Sequence, residues 1–303
     1  MNRGWDERHK VTRMAIVLPE CAGAARAELK QRHPADSGAM SPAARASRVV
    51  RSAGQVALFA YFGLSGALLT AIVVPAFSLF FRDPTRRVRR VRRVRGFVFQ
   101  LMRTYVGSMR ALRLIDLEVI GLDVEPAAGS LIVANHPSLI DALILLGQVR
   151  GAAVVAKRSL QVSPFTSGGI RGANYVVNTD AAALIEECRS RIAAGETLIL
   201  FPECTRTATD GVIRLRRGAA HVAVRTGCPV IPVTIEFSEP LLTKESRWWL
   251  APKVRPHVRV TRHPSIDPAQ FLVGDVSVSL AARKLTEYLR EFYVKELGRR
   301  GST

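Results

Sequence analysis

The sequence predicts an α/β fold, a mixed, largely parallel sheet flanked by helices, with an N-terminal membrane helix ahead of it. Three observations predict it. From about residue 115 onward, short apolar runs such as SLIVAN and TLILF alternate with helical patterns, as strands buried on both faces alternate with the helices that connect them. An uncharged stretch covers residues 56–81, longer than an ordinary buried helix needs. A chain of 303 residues has room for one large domain with appended segments, not for three domains.

Residues 1–50 are rich in Ala, Arg, Ser and Gly with little periodicity, and such a composition is expected to stay disordered. Met40 offers a shorter start, so the residues before it read as an upstream extension. In 56–81 (VALFAYFGLSGALLTAIVVPAFSLFF), the part up to residue 74 could cross a bilayer core before Pro75 interrupts the helix. Basic residues on both sides mark a retained anchor rather than a signal peptide. Arg45, Arg48 and Arg51 precede it and eight arginines follow between positions 82 and 95, which places the C-terminal part on the cytoplasmic face. Gly63, Gly66 and Pro75 also allow a re-entrant or interfacial segment. The division expected is therefore a disordered extension over 1–50, an anchor with a polybasic juxtamembrane segment over 51–96, and the catalytic-sized domain over 97–303.

Residues 97–112 carry apolar side chains at mixed three and four spacing with Arg103 and Arg110 between them, as an amphipathic helix on a membrane or on the core would. Strands are expected at 115–119, 131–134, 153–156, 197–201, 230–237 and 258–261. Helices are expected at 141–146, 181–194 and 217–226, the last two followed by Gly195 and Gly227, and a closing helix at 276–297.

The formal charge of +19 demands an anionic partner. Its concentration in the arginine run beside the apolar segment points to membrane lipids. No finger, RNP or basic-zipper pattern accompanies it, so nucleic acid is set aside. The four cysteines form no Cys-x-x-Cys pair, and neither a metal site nor a disulfide framework is indicated.

Two strand ends carry polar chemistry. Strand 131–134 runs into Asn135-His136-Pro137-Ser138-Leu139-Ile140-Asp141. Pro137 suits a first helical position, and Asp141, one turn on, can reach back to fix the tautomer of His136 as a general base. Ser138 and Asp141 equally resemble a capping pattern. The second strand ends in FPECTRT, residues 201–207, and ligands of open α/β sheets bind at such ends. A base, a second carboxylate at Glu203 and a fixed cation at Arg206 suit a hydroxyl nucleophile carried on a phosphate-bearing molecule.

Asn135-His136 with Asp141, then FPECTRT, then Val230-Ile231-Pro232-Val233-Thr234-Ile235, in this order, resemble the glycerophospholipid acyltransferase family, whose type member acylates 1-acylglycerol-3-phosphate. The resemblance covers about 97–270. It implies an O-acyltransferase with His136 and Asp141 as the catalytic dyad and an acceptor site shaped by Glu203, Thr205 and Arg206, flanked by Asn135, Ser138 and Lys157. It implies no cofactor and no metal, only acyl-carrier protein or acyl-CoA as co-substrate, and a place in phospholipid biosynthesis or remodelling at the membrane.

Two departures stand out. The family's glycine in the second block is Cys204 here, a strained position if its φ is positive. The family's Asp-Arg block is replaced by residues 172–178, GANYVVN, without a terminal cation; Arg171, Arg216 and Arg217 are the candidate replacements. Two rival readings remain: a thioester or ester hydrolase using Cys204 as nucleophile, and a non-catalytic membrane lipid-binding protein.

Overall fold

The computed structural model describes residues 41–80, 87–178, 180–207, 212–298 and 300–301. Most of the expected disordered extension lies outside the described residues, but 42–50 are helical. The Ser41 side chain accepts from the Ala44 amide and Pro42 occupies the first turn, so α1 runs Pro42–Leu68, ten or so residues earlier than composition suggests. The cap and the N1 proline outweigh the low-complexity look of the segment.

The helix does not stop at Pro75. A π-helical stretch, Leu69–Val73, leads directly into α2, Val74–Phe80. The wider i→i+5 turn, closed by the Val74 N–H on the Leu69 carbonyl, sits just ahead of the ring, and helix resumes past the missing proline N–H. Helix α3 then spans Arg87–Ala111, taking in much of the arginine run as well as the expected amphipathic segment. The last arginine of the run, Arg95, is buried and turned inward, bonded to Glu196 at 2.7 Å and to the Ala173 carbonyl at 2.9 Å. That residue fastens the helix to the domain rather than meeting lipid.

The main sheet has seven strands in the order β1-β8-β7-β2-β5-β3-β4. They are β1 (Asp116–Ile120), β2 (Leu131–Ala134), β3 (Ala153–Lys157), β4 (Val176–Asn178), β5 (Leu198–Leu200), β7 (Val230–Phe237) and β8 (His257–Arg262). All neighbours are parallel except the β7–β8 pair. The sheet is therefore mixed and largely parallel, as the apolar runs imply: β2 and β5 are buried along their whole length. Helices α4 (Asp141–Gln148), α5 (Arg158–Val162), α6 (Ser167–Gly172), α7 (Ala181–Ala193), α8 (Gly218–Thr226) and α9 (Val278–Leu297) connect and cover it. A short pair, β6 (Val212–Ile213) with β9 (Arg300–Gly301), lies apart.

The apolar N-terminal helix lies along the domain rather than standing away from it. Phe62 meets the Tyr105 ring edge-on at 5.6 Å, and Thr70 Oγ1 accepts from the Gly168 amide at 2.9 Å. At Gly66 the approach is so close that an added Cβ would fall 1.8 Å from the Phe165 carbonyl oxygen, whereas one at Gly63 would sit an ordinary 3.6 Å from the Phe165 ring. Gly66→Val is accordingly expected to cost on the order of 2 kcal/mol or more through overpacking, seen as a lowered unfolding temperature, with Gly63→Ala near wild type. The opposite face leaves Tyr61, Leu64, Leu68 and Ile72 exposed, spaced three and four apart along one stripe.

Candidate active site

Strands β7, β2, β5 and β3 run parallel, so their C-terminal ends open on one edge of the sheet. There the polar residues collect. Past Ala134 the chain turns into α4, whose first residue is Asp141. The Asp141 carboxylate, fully buried, holds His136 through Oδ2 to Nδ1 at 2.8 Å and accepts the Ser138 amide through the same oxygen at 2.7 Å. Its Oδ1 is buried with no hydrogen-bond partner among the described residues. Desolvation pushes its pKa up to about 6, against the downward pull of the His136 hydrogen bond and charge.

The peptide of His136 is gripped from both sides. Its N–H donates to Glu203 Oε1 at 2.9 Å and its carbonyl accepts from the Thr207 amide at 2.6 Å. Thr207 Oγ1 donates to the same Glu203 oxygen at 2.8 Å, and the imidazole stacks on Phe201 at 4.4 Å. Below, the Tyr293 hydroxyl reaches from α9 to the Val133 carbonyl at 2.6 Å. Both blocks of the sequence motif therefore act on one residue, and the imidazole is fixed with Nδ1 inward, leaving Nε2 as the nitrogen able to exchange a proton.

Several expected substrate contacts have other work. Asn135 is 1% exposed; its amide donates to the Ile235 carbonyl at 2.8 Å and accepts the Ile235 N–H at 2.7 Å. These two bonds lock β2 to β7. Ser138 is equally buried, its hydroxyl donating to the Leu241 carbonyl at 2.7 Å. Glu203, also buried, holds the His136 amide through Oε1. Arg206 spends Nη1 on the Leu242 and Thr243 carbonyls, at 2.9 and 2.8 Å, while the side chain stays half-exposed beside the half-exposed Thr205.

Lys157 ends β3, exposed. Register puts it directly beside Asn178, so the cation at this edge stands on β3 where the terminal residue of β4 has none. Arg216 is exposed, donates its amide to the Pro202 carbonyl at 2.8 Å, and lies close enough to Cys204 to act on its thiol, as Lys157 does. Arg171 instead sits on α6 and donates to the Gln161 carbonyl at 3.3 Å.

Cys204 has φ +56°, the left-handed conformation that costs a non-glycine residue roughly 1–2 kcal/mol. Its hydrogen-bond partner is the Pro202 carbonyl at 3.8 Å. Although the residue is exposed, desolvation around the sulfur raises the thiol pKa in spite of Arg216 and Lys157. A nucleophilic role would need the opposite shift. Cys204→Gly is expected to stabilise the fold by up to about 1 kcal/mol and to keep activity, read by thermal unfolding and turnover together; loss of turnover would instead favour the cysteine hydrolase.

Comparison with known proteins gives a consistent match. The family model described as Acyltransferase matches residues 116–236. Human 1-acyl-sn-glycerol-3-phosphate acyltransferase alpha is 26% identical over 160 residues, 47% of this chain and 56% of the relative. The Saccharomyces cerevisiae 1-acyl-sn-glycerol-3-phosphate acyltransferase is 25% identical over 151 residues, 46% of this chain and 50% of that one. The chain thus spans about half the length of these curated relatives. The crystal structure of the 1-acyl-sn-glycerophosphate (LPA) acyltransferase PlsC from Thermotoga maritima superposes with a TM-score of 0.58 at 26% identity, covering 84% of this chain and all of that one.

Proposed function

We propose that this chain, a member of the glycerophospholipid acyltransferase family, transfers a fatty acyl group from an acyl thioester to the free hydroxyl of a lysophospholipid-like acceptor. The observation that carries it is the 2.8 Å His136–Asp141 pair at the C-terminal ends of the parallel strands β7, β2, β5 and β3. In this reading His136 Nε2 takes the acceptor hydroxyl proton as that oxygen attacks the thioester carbonyl, and buried Asp141 stabilises the imidazolium. The tetrahedral intermediate expels the thiolate, which receives the proton back from His136, leaving a new ester and a free thiol.

An apolar cavity supports the lipid donor. It lies between α1, α3, α4 and α6, and its lining includes Ala142 and Leu143, immediately after Asp141, together with Phe62, Met102, Ile170 and Tyr175. Its volume of about 140 Å³ suits a segment of an acyl chain, beside the helix that begins at Asp141. For the acceptor phosphate, Arg206, Lys157 and Arg216 are the cations at the sheet edge, in place of the family's arginine.

The helix 42–76 is apolar and long enough to cross a membrane, but its contacts with the domain run from Arg48 to Thr70. This lengthwise attachment supports a monotopic seat, in the interface plane, over a bilayer crossing. The arginines of α3 favour the anionic cytoplasmic leaflet.

The deciding experiment offers labelled acyl-CoA and acyl-carrier protein to the purified protein with a panel of lysophospholipids differing in headgroup. Labelled diacyl product is expected and identifies both donor and acceptor. A folded, lipid-bound protein that acylates no acceptor from either donor would hand the case to the lipid-binding reading.

A further inference from the structure

The connection between β7 and β8, residues 238–256, joins the site to the anchor helix. Its first part holds the site. The Leu241 carbonyl accepts from Ser138 Oγ at 2.7 Å, the Leu242 carbonyl from the Leu139 amide at 3.1 Å, and the Leu242 and Thr243 carbonyls clamp Arg206 Nη1. Leu242 is buried with φ +51°, a conformation that surrounding contacts must impose on a leucine.

The second part holds α1. The Ala251 carbonyl accepts from Arg48 Nε and the Lys253 carbonyl from Arg51 Nη2, both at 2.8 Å, the Trp248 carbonyl accepts from Gln55 Nε2, and the Ala251 amide donates to Ser52 Oγ at 3.0 Å. The Trp248 ring meets Phe59 edge-on at 5.3 Å. Between the two parts a Thr243–Ser246 turn is closed by their hydroxyls at 2.8 Å, so the Arg206 clamp and the helix seat lie only a few residues apart.

The outer surface of this strap is amphipathic. Trp249 and Leu250 are 49% and 38% exposed and share an apolar cavity with Val49 and Val56, rimmed by Arg45 and Arg48. Indole and aliphatic side chains beside guanidinium groups are the composition of a membrane–water interface. From this patch, exposed Ala53, Ala57, Ala60, Leu64 and Leu68 run three and four apart along α1, and that continuous apolar row selects a bilayer over a soluble protein as its occupant.

We propose that Trp249 and Leu250, seated on α1, form a phospholipid-insertion site, and that inserting them tightens the strap on Arg206, raising affinity for the acceptor at a lipid surface. The coupling rests on the acyltransferase reading; the insertion does not.

Two measurements test it on the full chain. In a Trp5→Phe background, phosphatidylcholine vesicles with brominated acyl chains are expected to quench tryptophan emission, and Trp249→Asp to remove most of the quenching. With a short-chain acceptor soluble below its micelle threshold, acceptor-free vesicles are expected to lower the wild-type KM severalfold at constant kcat. Trp249→Asp should keep the vesicle-free kinetics and lose the response. Absence of quenching overturns the insertion site; quenching with an unmoved KM overturns the coupling. Wild-type mass doubling in solution that Trp249→Asp abolishes would make the patch a contact between copies and overturn the lipid assignment. If no acceptor is acylated at all, the quenching still decides the insertion on its own.

Discussion

His136→Ala is expected to lower kcat by about 10³-fold, within the 10²–10⁴ range for removal of a positioned general base, with little change in fold or in lipid association. The expectation follows from how the residue is held. Its Nδ1 is committed to Asp141, its peptide N–H to Glu203 and its carbonyl to Thr207. All these contacts except the first involve the backbone, which alanine retains, so the scaffold should survive the loss of the ring. The acceptor hydroxyl would then have to lose its proton to water as it attacks, and the departing thiolate would have no acid at hand. KM for a vesicle-borne acceptor should move little, because the cations Lys157, Arg206 and Arg216 are untouched. The check is single-turnover transfer from the donor identified above, with circular dichroism and vesicle flotation on the same preparations. A variant that flotation and dichroism report as normal, yet that turns over within tenfold of wild type, would remove His136 from the mechanism.

The legibility of the fold in the sequence varied with what each segment buries. Strands β2 and β7 match their expected ranges because parallel strands covered on both faces read as unbroken apolar runs. The start of α3 was hidden: the arginines look like a solvated linker, yet Val88, Val91, Val94 and Val98 keep a helical spacing through them, and two of the four are buried. Pro75 misled in the other direction, since the π-helical turn that accommodates it has no sequence signature of its own.

At the site, residue types were readable and directions were not. His136 and Asp141 are five residues apart, and local geometry brings them together. Asn135 looks the same in sequence whether its amide faces a ligand or a strand; its partner, Ile235, is 100 residues away. The same holds for Glu203, whose bond to the His136 peptide depends on β5 lying next to β2. Thr207 was within the motif but its grip on His136 was not, and the strap at 241–243 carries no chemical signature, because it works through main-chain carbonyls.

The second large effect concerns Asp141, where activity and stability are expected to part. Asp141→Asn should reduce kcat by 10²-fold or more, since an amide cannot stabilise the imidazolium and can hold the ring in the wrong tautomer. Yet the same change should raise stability at neutral and alkaline pH. The folded pKa, about 6, lies above the ordinary 3.8 because burial penalises the charge. The folded state therefore binds this proton more tightly than the unfolded state does. The stability linked to it is fully present below about pH 4 and is lost as the pH rises through 6, so the ionised carboxylate costs the fold on the order of 3 kcal/mol above that. Asparagine keeps an oxygen for the Ser138 amide without the charge, and its gain should fade as the pH falls from 7 to 4. Denaturant unfolding of both proteins at pH 4 and pH 8 provides the check. A variant less stable than wild type at pH 8 would mean that the His136–Asp141 ion pair outweighs the desolvation, and that the buried carboxylate is a structural asset instead of a strain retained for catalysis.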